Sequence, residues 1–509
     1  MAQNIKFTGL IRRVRGQVVE VEYSGSGNLP KLRELLTSPD NPKVHLEIFA
    51  YTQDQSLLAL SLTQKSWLQR NMPITTTNST LTVPVGDGVL GRVINLFGEP
   101  QDDAGELKSE GRRPIYEPAT TKITTPTKVE LLETGIKPID FFTPFIKGGK
   151  IGFVGGAGVG KTVLMTELLR NVIKQTKGVA IFCGIGERIR EGHELWLMLR
   201  QFDALSRTGL IFGQMNENAA VRFRTAWAAA ALAEYYRDEQ KKDILFFVDN
   251  VFRFVQAGSE LSPMLDQIPS ELGYQATLES EVAAFEERLV NTPTGSITSV
   301  QNIYVPADEL SDPGVAAIMS HLDSVVILSR DLTQRGYYPP IDLFRSSSGL
   351  LSSEILGERH FKAVTSALEL IGEYERLQRI VSIVGESELQ AEDRLIFQRA
   401  NKLINYMTQP FYTTEIQTNR SGITVPKEDT ISDVEKILGG ELDKIDADKL
   451  LYIGNLSKII NNNSTGGTGP SGSSDLVELK EPTPPPAPAP APAPEPKGLK
   501  KFLKKVRNK

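Results

Sequence analysis

Eight consecutive residues, 155–162, have the types and spacing needed to bind phosphate. They read GGAGVGKT and fit the pattern G-x-x-x-x-G-K-[ST]. Glycines let successive backbone N–H groups close around phosphate oxygens at the positive end of a helix dipole. Lys161 would supply a cation to the β- and γ-phosphates, and Thr162 a hydroxyl to Mg²⁺. The motif therefore predicts a site for Mg²⁺ with ATP or ADP.

The surroundings of this motif favour a phosphate site over a chance glycine-rich turn. An apolar strand at 150–154 leads into it, and the helical pattern TVLMTELLRNVIKQ follows it. The residues predicted to contact the nucleotide around its phosphates are Gly156, Ala157, Gly158, Val159, Gly160, Lys161, Thr162 and Val163.

Two further strand ends carry charged residues suited to phosphate chemistry. The run ILFFVD at 244–249 ends in Asp249, which predicts a carboxylate that holds Mg²⁺ directly or through a water. The run GERIREG at 186–192 follows another apolar strand, at the sheet edge where open α/β folds bind ligands. There Glu187 could polarise an attacking water and Arg188 could meet phosphate charge. From the spacing alone, a surface ion pair explains these two neighbours equally well.

The elements that must position these residues form three successive regions and a tail. Short alternating strands over residues 1–80 predict a small β-barrel. Residues 81–350 alternate apolar strands with helical patterns, which predicts an α/β domain with a parallel sheet. Residues 351–460 are mostly amphipathic helix. Residues 461–509 form a linker, Pro-Ala rich at 482–496, that we expect to be disordered.

The last thirteen residues, KGLKKFLKKVRNK, differ in charge from the rest of the chain. The chain has 57 Lys and Arg against 62 Asp and Glu, and residues 497–509 hold seven of the basic residues and none of the acidic ones, so the rest has a net charge of −12. An apolar stripe at Leu499, Phe502, Leu503 and Val506 predicts either a helix that docks on a membrane or an acidic partner, or a solvated end. The acidic body gives no expectation of nucleic acid as a partner.

Other compositional features point to the cytoplasm. No apolar run reaches the length of a membrane span, and the N-terminus does not have the pattern of a signal peptide. The single cysteine, Cys183, lies in an apolar run and is expected to be a packed core thiol.

The order of the motifs resembles the catalytic (beta) subunit of F-type ATP synthases. The runs are IGFVGGAGVGKTVLMTELLRNV, GERIREGHELW, GQMNE, FFVDNVFRFVQAGSE, IPSELGYQATLESE, SITSVQNIYVPADELSDP and HLDSVVILSR. The flanking runs GRVINLFGEP and ETGIKPID and a QPF at 409–411 also fit. The resemblance covers about residues 1–460, and it implies a RecA-like P-loop nucleotide domain between an N-terminal β-barrel and a C-terminal α-helical domain.

The resemblance implies a role for each matching residue. Glu187 is similar to the catalytic carboxylate that positions water, and Lys161, Arg188 and Arg253 are similar to cations on the phosphate side. Asp249 and Thr162 are implied as the Mg²⁺ residues. The remaining implied positions are Tyr338 and Phe411 as walls of the adenine pocket, and Asp308, Glu309 and Asp312 as contacts to a rotating shaft.

The resemblance also implies an assembly. The chain would alternate with a homologous non-catalytic (alpha-like) subunit in a hexamer around a central gamma-like shaft, at the cytoplasmic face of the cell membrane. The ATP site would lie between subunits, and the partner would add an arginine for phosphoryl transfer.

The sequence departs from the family at several places, one of which is a stretch between GHELW and GQMNE that is several residues shorter than in the family. Gln417 stands where an aromatic residue closes the adenine pocket, which predicts altered base selection with ATP binding retained. Gly349 replaces an arginine, and the basic tail lies outside the family pattern. These departures favour a specialised paralogue that drives another membrane-linked machine over the housekeeping enzyme. A Rho-type hexameric nucleic-acid translocase and a non-catalytic assembly subunit are the alternatives.

Overall fold

The computed structural model describes residues 7–23, 29–63, 65–117, 130–175 and 178–457. By its contacts the chain divides into two units, Met1–Leu456 and Ser457–Lys509. Every element below belongs to the first unit. The predicted linker and basic tail at 461–509 lie outside the described residues.

The N-terminal region is a closed barrel of six antiparallel strands in the order β1-β2-β5-β4-β3-β6. The strands are β1 (Thr8–Arg15), β2 (Val18–Tyr23), β3 (Glu34–Thr37), β4 (Leu46–Tyr51), β5 (Ser56–Ser61) and β6 (Pro73–Thr80). Alternate residues point inward, so Ile11, Val21, Leu36 and Leu57 are fully buried in its core. The closed barrel leaves no exposed strand edge.

The middle of the chain is built on an eight-stranded sheet in the order β18-β17-β12-β16-β15-β13-β14-β8. The strands of this region are β7 (Thr82–Val85), β8 (Val93–Ile94), β9 (Gly111–Pro114), β10 (Leu131–Leu132), β11 (Phe145–Ile146), β12 (Lys150–Gly155), β13 (Val179–Glu187), β14 (Thr208–Gln214), β15 (Ile244–Asp249), β16 (Ile297–Tyr304), β17 (Ser324–Ile327) and β18 (Ser347–Ser348). Seven strands of the sheet run parallel and β18 is antiparallel at the edge.

Buried helices cover this sheet, as the continuous apolar runs of its strands require. The helices of the region are α1 (Lys137–Phe142), α2 (Lys161–Gln175), α3 (Ile189–Gln201), α4 (Ala219–Asp238), α5 (Val251–Leu261), α6 (Leu278–Glu286), α7 (Pro313–Met319) and α8 (Arg330–Gln334). Helix α4 is rich in alanine, and Ala226 and Ala228 are fully buried. From α4, Arg224 forms an ion pair with Glu47 of the barrel at 3.0 Å, which fixes the barrel on this domain.

The C-terminal region of the described chain is helical. Its helices are α9 (Ser353–Leu356), α10 (Glu358–Val384), α11 (Ala391–Tyr406), α12 (Glu415–Thr418) and α13 (Lys427–Leu438). Lys137 of α1 joins it to the sheet domain, because its buried ammonium donates to the carbonyls of Tyr406, Ile453 and Gly454. Its ring contact with Tyr406 spans 4.1 Å from the ammonium to the ring centroid.

The predicted fold class is confirmed: a six-stranded barrel precedes a parallel-sheet domain, which is followed by helices. The predicted limits near residues 80, 350 and 460 stay predictions, because the barrel, the sheet domain and the helices through Leu456 form one contact unit. Among the described helices none is both long and apolar enough to cross a bilayer.

Candidate nucleotide-binding site

The phosphate motif is the turn between β12 and α2. Gly158 and Gly160 adopt positive φ angles of 77° and 89°, and no atom lies within 4 Å of a Cβ built on either residue. The requirement for glycine at these two positions is therefore conformational, since an L-residue with a side chain rarely adopts this φ. The turn brings the backbone of the loop to the N-terminus of α2, which begins at Lys161.

The Lys161 ammonium lies inside this loop. It donates to the carbonyl oxygens of Gly155 at 2.7 Å and Gly156 at 2.6 Å, and it lies 5.9 Å from the centroid of the Tyr304 ring. Burial lowers the pKa of Lys161 to about 8, although Asp249 and other nearby acids act in the opposite direction. The geometry holds a cation at the point where the motif predicts the β- and γ-phosphates.

Asp249 and Thr162 meet beside the loop. The Thr162 hydroxyl donates to Asp249 Oδ2 at 3.0 Å, and the Asp249 carboxyl is buried at the end of β15. Burial raises the pKa of Asp249, whereas the bond from Thr162 opposes that rise. A hydroxyl and a carboxylate side by side are oxygen donors of the kind Mg²⁺ prefers, so the two residues fit the predicted metal.

Glu187 ends β13, the strand next to β15, and lies three residues beyond Gly184, which pairs with Asp249. Burial raises the pKa of Glu187, and the negative charges of Asp249 and Glu191 raise it further. Arg253 opposes this effect. Its side chain packs on the backbone next to Glu187, since a Cβ built on Gly186 would lie 3.3 Å from the Arg253 side chain. The structure therefore brings together Glu187, Asp249 and Arg253.

Arg188 lies apart from this group. Its side chain is 66% exposed and its nearest acid is Glu191, at 3.9 Å. Within the described residues no hydrogen bond or ion pair joins Arg188 to the phosphate loop. Arg188 and Glu187 line a separate cavity of about 330 Å³ together with Trp196 and Phe212. The predicted phosphate contact of Arg188 therefore needs a movement of its side chain.

The predicted base pocket is a cleft of about 560 Å³ that opens from the phosphate loop. Tyr338, Phe411 and Gln417 line it, and Gly160 and Val163 form its floor on the loop side. Phe411 is buried, whereas Tyr338 is 44% exposed. Residues from two distant segments and the loop thus converge on one cleft, which has two flat apolar faces for a purine ring.

Most polar groups in this cleft are already hydrogen-bonded. The hydroxyls donate to backbone carbonyls: Tyr338 to Thr333, Thr414 to Phe411, Thr418 to Thr414 and Tyr452 to Gly336. Gln417 is exposed and makes no hydrogen bond among the described residues. Arg420 stacks on Tyr452, with its guanidinium carbon 4.1 Å from the ring centroid. Gln417 and Arg420 are therefore the side chains available to contact a base edge.

Residues 409–413, which include Phe411 of the base pocket, contact both α2 and the segment that precedes α1. The Glu167 carboxylate of α2 accepts from the backbone N–H of Thr413 at 3.0 Å, and the Arg170 guanidinium lies 3.6 Å from the centroid of the Tyr412 ring. The Gln409 amide donates to the Gly135 carbonyl at 2.7 Å. Helix α2 thus holds the phosphate loop at its N-terminus and the base segment along its length.

The three predicted shaft contacts have different surroundings. Asp308 accepts from Arg330 Nε at 3.0 Å. Glu309 accepts from the Ser311 hydroxyl at 2.6 Å. Asp312 caps α7 through the N–H groups of its first turn and also accepts from the Tyr274 hydroxyl at 2.8 Å. Asp312 thus has a structural role of its own, and contact of the three acids with a shaft stays a prediction.

Sequence reasoning missed Arg330, Arg420 and Tyr452. Arg330 ends the quoted run HLDSVVILSR, three residues after the end of β17, so its place near the carboxyl edge of the sheet was a usable signal. Tyr452 gave no signal, because it reaches the cleft only through the packing of the C-terminal segment near Lys137.

Two family matches cover the site. Residues 135–348 match the ATP synthase alpha/beta family, nucleotide-binding domain. Residues 351–425 match the C-terminal domain of V and A type ATP synthase. The first match includes the phosphate loop, Glu187, Asp249 and Tyr338, and the second includes Phe411 and Gln417.

Proposed function

We propose that the chain is a catalytic subunit of a rotary ATPase with a P-loop, because residues 135–348 match the nucleotide-binding domain of the ATP synthase alpha/beta family and residues 351–425 match the C-terminal domain of V and A type ATP synthase. In this role it binds Mg²⁺-ATP and hydrolyses or forms it, in a hexameric ring with related subunits around a central stalk. The partners are a non-catalytic alpha-like subunit and a gamma-like shaft.

The observation that carries this proposal is the position of Glu187. A carboxyl group at the end of β13, close enough to Asp249 and Arg253 for their charges to shift its pKa, is suited to hold a water for attack on a terminal phosphate bound at the loop. The resemblance to beta subunits implies that non-catalytic subunits lack this acid. Glu187 therefore supports a catalytic role over an assembly role.

The chain's own residues divide the chemistry among them. The loop amides and Lys161 bind the β- and γ-phosphates and hold them in place. Thr162 and Asp249 would hold Mg²⁺, which, when bound, neutralises charge on the phosphate oxygens. The Glu187 carboxylate orients the water and accepts its proton, and the Arg253 charge favours the ionised form of Glu187. Tyr338 and Phe411 hold the base at the far end of the cleft.

We also propose that the subunit is a divergent F-type-like paralogue that works at the cytoplasmic face of the membrane. The runs YVPADELSDP and GERIREGHELW support the F-type relation. The match of the C-terminal region to the V and A type domain, together with Gln417, supports divergence from the housekeeping enzyme. The basic segment 497–509 would dock on a membrane or on an acidic partner.

Substitution of the proposed catalytic acid tests the function. In the complex purified with its partner subunits, Glu187→Gln should lower ATP turnover at least a hundredfold, because general-base catalysis typically contributes about 10²–10⁴-fold. Glu194→Gln is the matched control, since Glu194 is an exposed acid of α3 paired with Arg190 at 3.4 Å. Turnover unchanged by Glu187→Gln would assign the chain to the non-catalytic subunits.

A further inference from the structure

An ion pair lies against the phosphate loop at Gly156. Arg330 Nε donates to Asp308 Oδ2 at 3.0 Å. A Cβ built on Gly156 would overlap Asp308 Oδ1 and would lie 2.7 Å from Arg330 Nη2. A side chain at Gly156 would therefore have to displace the ends of both side chains, whereas Gly158 and Gly160 are favoured as glycine by their φ angles. Both charged groups are within van der Waals reach of the loop backbone.

The two strands beside β12 each supply one member of this pair. Asp308 follows β16 and Arg330 follows β17, and both strands are parallel neighbours of β12. Ala307 and Asp308 have positive φ angles of 52° and 57°, a conformation that is uncommon for residues other than glycine. This backbone shape turns the Asp308 carboxylate toward the loop.

Both side chains of the pair are 48% exposed. Exposed ion pairs typically add little to the free energy of unfolding, so stability does not explain this one. The position of the pair against Gly156 of the phosphate loop suggests a role in phosphate binding instead. The Lys161 ammonium donates to the Gly156 carbonyl at 2.6 Å, so Gly156 lies where the predicted β- and γ-phosphates are held. Among the described residues, Asp308 is the only acid that forms an ion pair with Arg330, and two of the guanidinium nitrogens, Nη1 and Nη2, donate no hydrogen bond there.

We propose that Arg330 is a further phosphate-binding cation of this site, and that Asp308 is its counter-ion until a nucleoside triphosphate binds. In the bound state the guanidinium exchanges the Asp308 carboxylate for an oxygen of the terminal phosphate, a partner that suits its planar fork. This inference rests on the proposed function, because it assigns a ligand contact at the same site. Arg330 would be a cation from this chain at the phosphate site, in addition to any arginine that a partner subunit supplies there.

Opposite changes in affinity distinguish this role from simple support of the loop. We expect Arg330→Gln to weaken binding of a non-hydrolysable ATP analogue with Mg²⁺ to the full chain about tenfold, and to change ADP affinity less than twofold. Asp308→Asn should leave the affinity for the analogue unchanged or increase it, because it releases Arg330. Asparagine tolerates the positive φ at this position. Arg330→Lys should restore part of the affinity, as a cation without the fork.

The control is a second exposed ion pair close to α8. Arg335, the residue after α8, lies 3.0 Å from Asp331 of that helix, so Arg335→Gln should leave both affinities unchanged. If Arg330→Gln and Asp308→Asn weaken binding of the analogue equally, the pair only supports the loop. The same conclusion follows if Arg330→Gln lowers the affinities for the ATP analogue and for ADP equally. Wild-type chain that binds neither nucleotide would overturn the proposed function itself. Wild-type binding that Arg330→Gln leaves unchanged would overturn this inference alone.

Discussion

The two ends of the nucleotide cleft are built in different ways. The phosphate end consists of one glycine loop with Lys161 and of two acids at the ends of neighbouring parallel strands, Asp249 and Glu187. The base end is assembled from segments far apart in the chain, around Tyr338, Phe411 and Tyr452. The first end is fixed by backbone register, whereas the second depends on how the C-terminal helices pack on α1 and α2.

This difference predicts that the phosphate end governs ATP turnover and that the base end governs the choice of nucleotide base. Half-buried ionisable groups with perturbed pKa values, Lys161 and Glu187, occur at the phosphate end, as such groups often do at functional sites. The base end offers two aromatic faces and the exposed side chains of Gln417 and Arg420. Substitutions at the phosphate end should therefore alter turnover or phosphate binding, and those at the base end should alter affinity and base preference.

The largest effect is expected from removal of the loop cation. Lys161→Gln should weaken ATP binding at least a hundredfold, because it removes the half-buried cation that we propose binds the β- and γ-phosphates. Titration of the full chain with Mg²⁺-ATP measures it. Lys147→Gln is the control, since Lys147 forms an exposed ion pair with Asp243 at 2.8 Å. A Lys161→Gln variant with wild-type affinity would show that ATP is not bound through its phosphates at this loop.

A smaller effect is expected from the lysine that anchors the base end. Burial lowers the pKa of Lys137 from 10.5 to about 7, so between these values the unfolded chain binds a proton that the folded chain does not. The Lys137 contribution therefore makes the free energy of unfolding rise with pH, by about 1–3 kcal/mol between about pH 7 and 10. In Lys137→Met this rise should disappear, as measured by urea unfolding at several pH values.

The matched control for that measurement is Lys436→Met, because Lys436 is a partly exposed lysine of α13 in the same helical region. It should keep the wild-type pH dependence. A Lys137→Met variant with an undiminished rise would show that another group causes it, and that Lys137 is not the buried anchor of the base end.

The smallest effect is expected at Gln417. Gln417→Phe adds a third flat apolar face to the cleft, which should increase the preference for ATP over GTP a few-fold through stacking and the loss of an amide that bonds base edges. Competition between the two nucleotides measures this ratio. An unchanged ratio would mean that Gln417 does not contact the base, although it lines the cleft.

The phosphate end could be predicted from sequence patterns more fully than the base end, because strand register positions its residues. The apolar runs at 151–154, 179–182 and 244–248 correspond to β12, β13 and β15, and residues at the ends of parallel strands meet at one sheet edge by construction. The order of the strands and the two-residue strand β8 left no comparable pattern. Arg330 and Asp308 meet only because β16 and β17 both flank β12.

At the base end only the resemblance identified Tyr338 and Phe411. Their convergence depends on buried contacts such as that of Glu167 with the Thr413 N–H, which no local pattern predicts. Arg420 was missed for the same reason, since its place is set by the Tyr452 ring 32 residues further along the chain.

The most direct test of this division is the steady-state kcat and the ATP Kd of Glu187→Gln and Tyr338→Ala, measured side by side in the assembled complex. We predict that Glu187→Gln lowers kcat at least a hundredfold with Kd changed less than about threefold. Tyr338→Ala should raise Kd about tenfold, as loss of base stacking does, with kcat changed less than about threefold. A Glu187→Gln variant that loses affinity but keeps kcat, or a Tyr338→Ala variant that keeps affinity but loses kcat, would contradict the account.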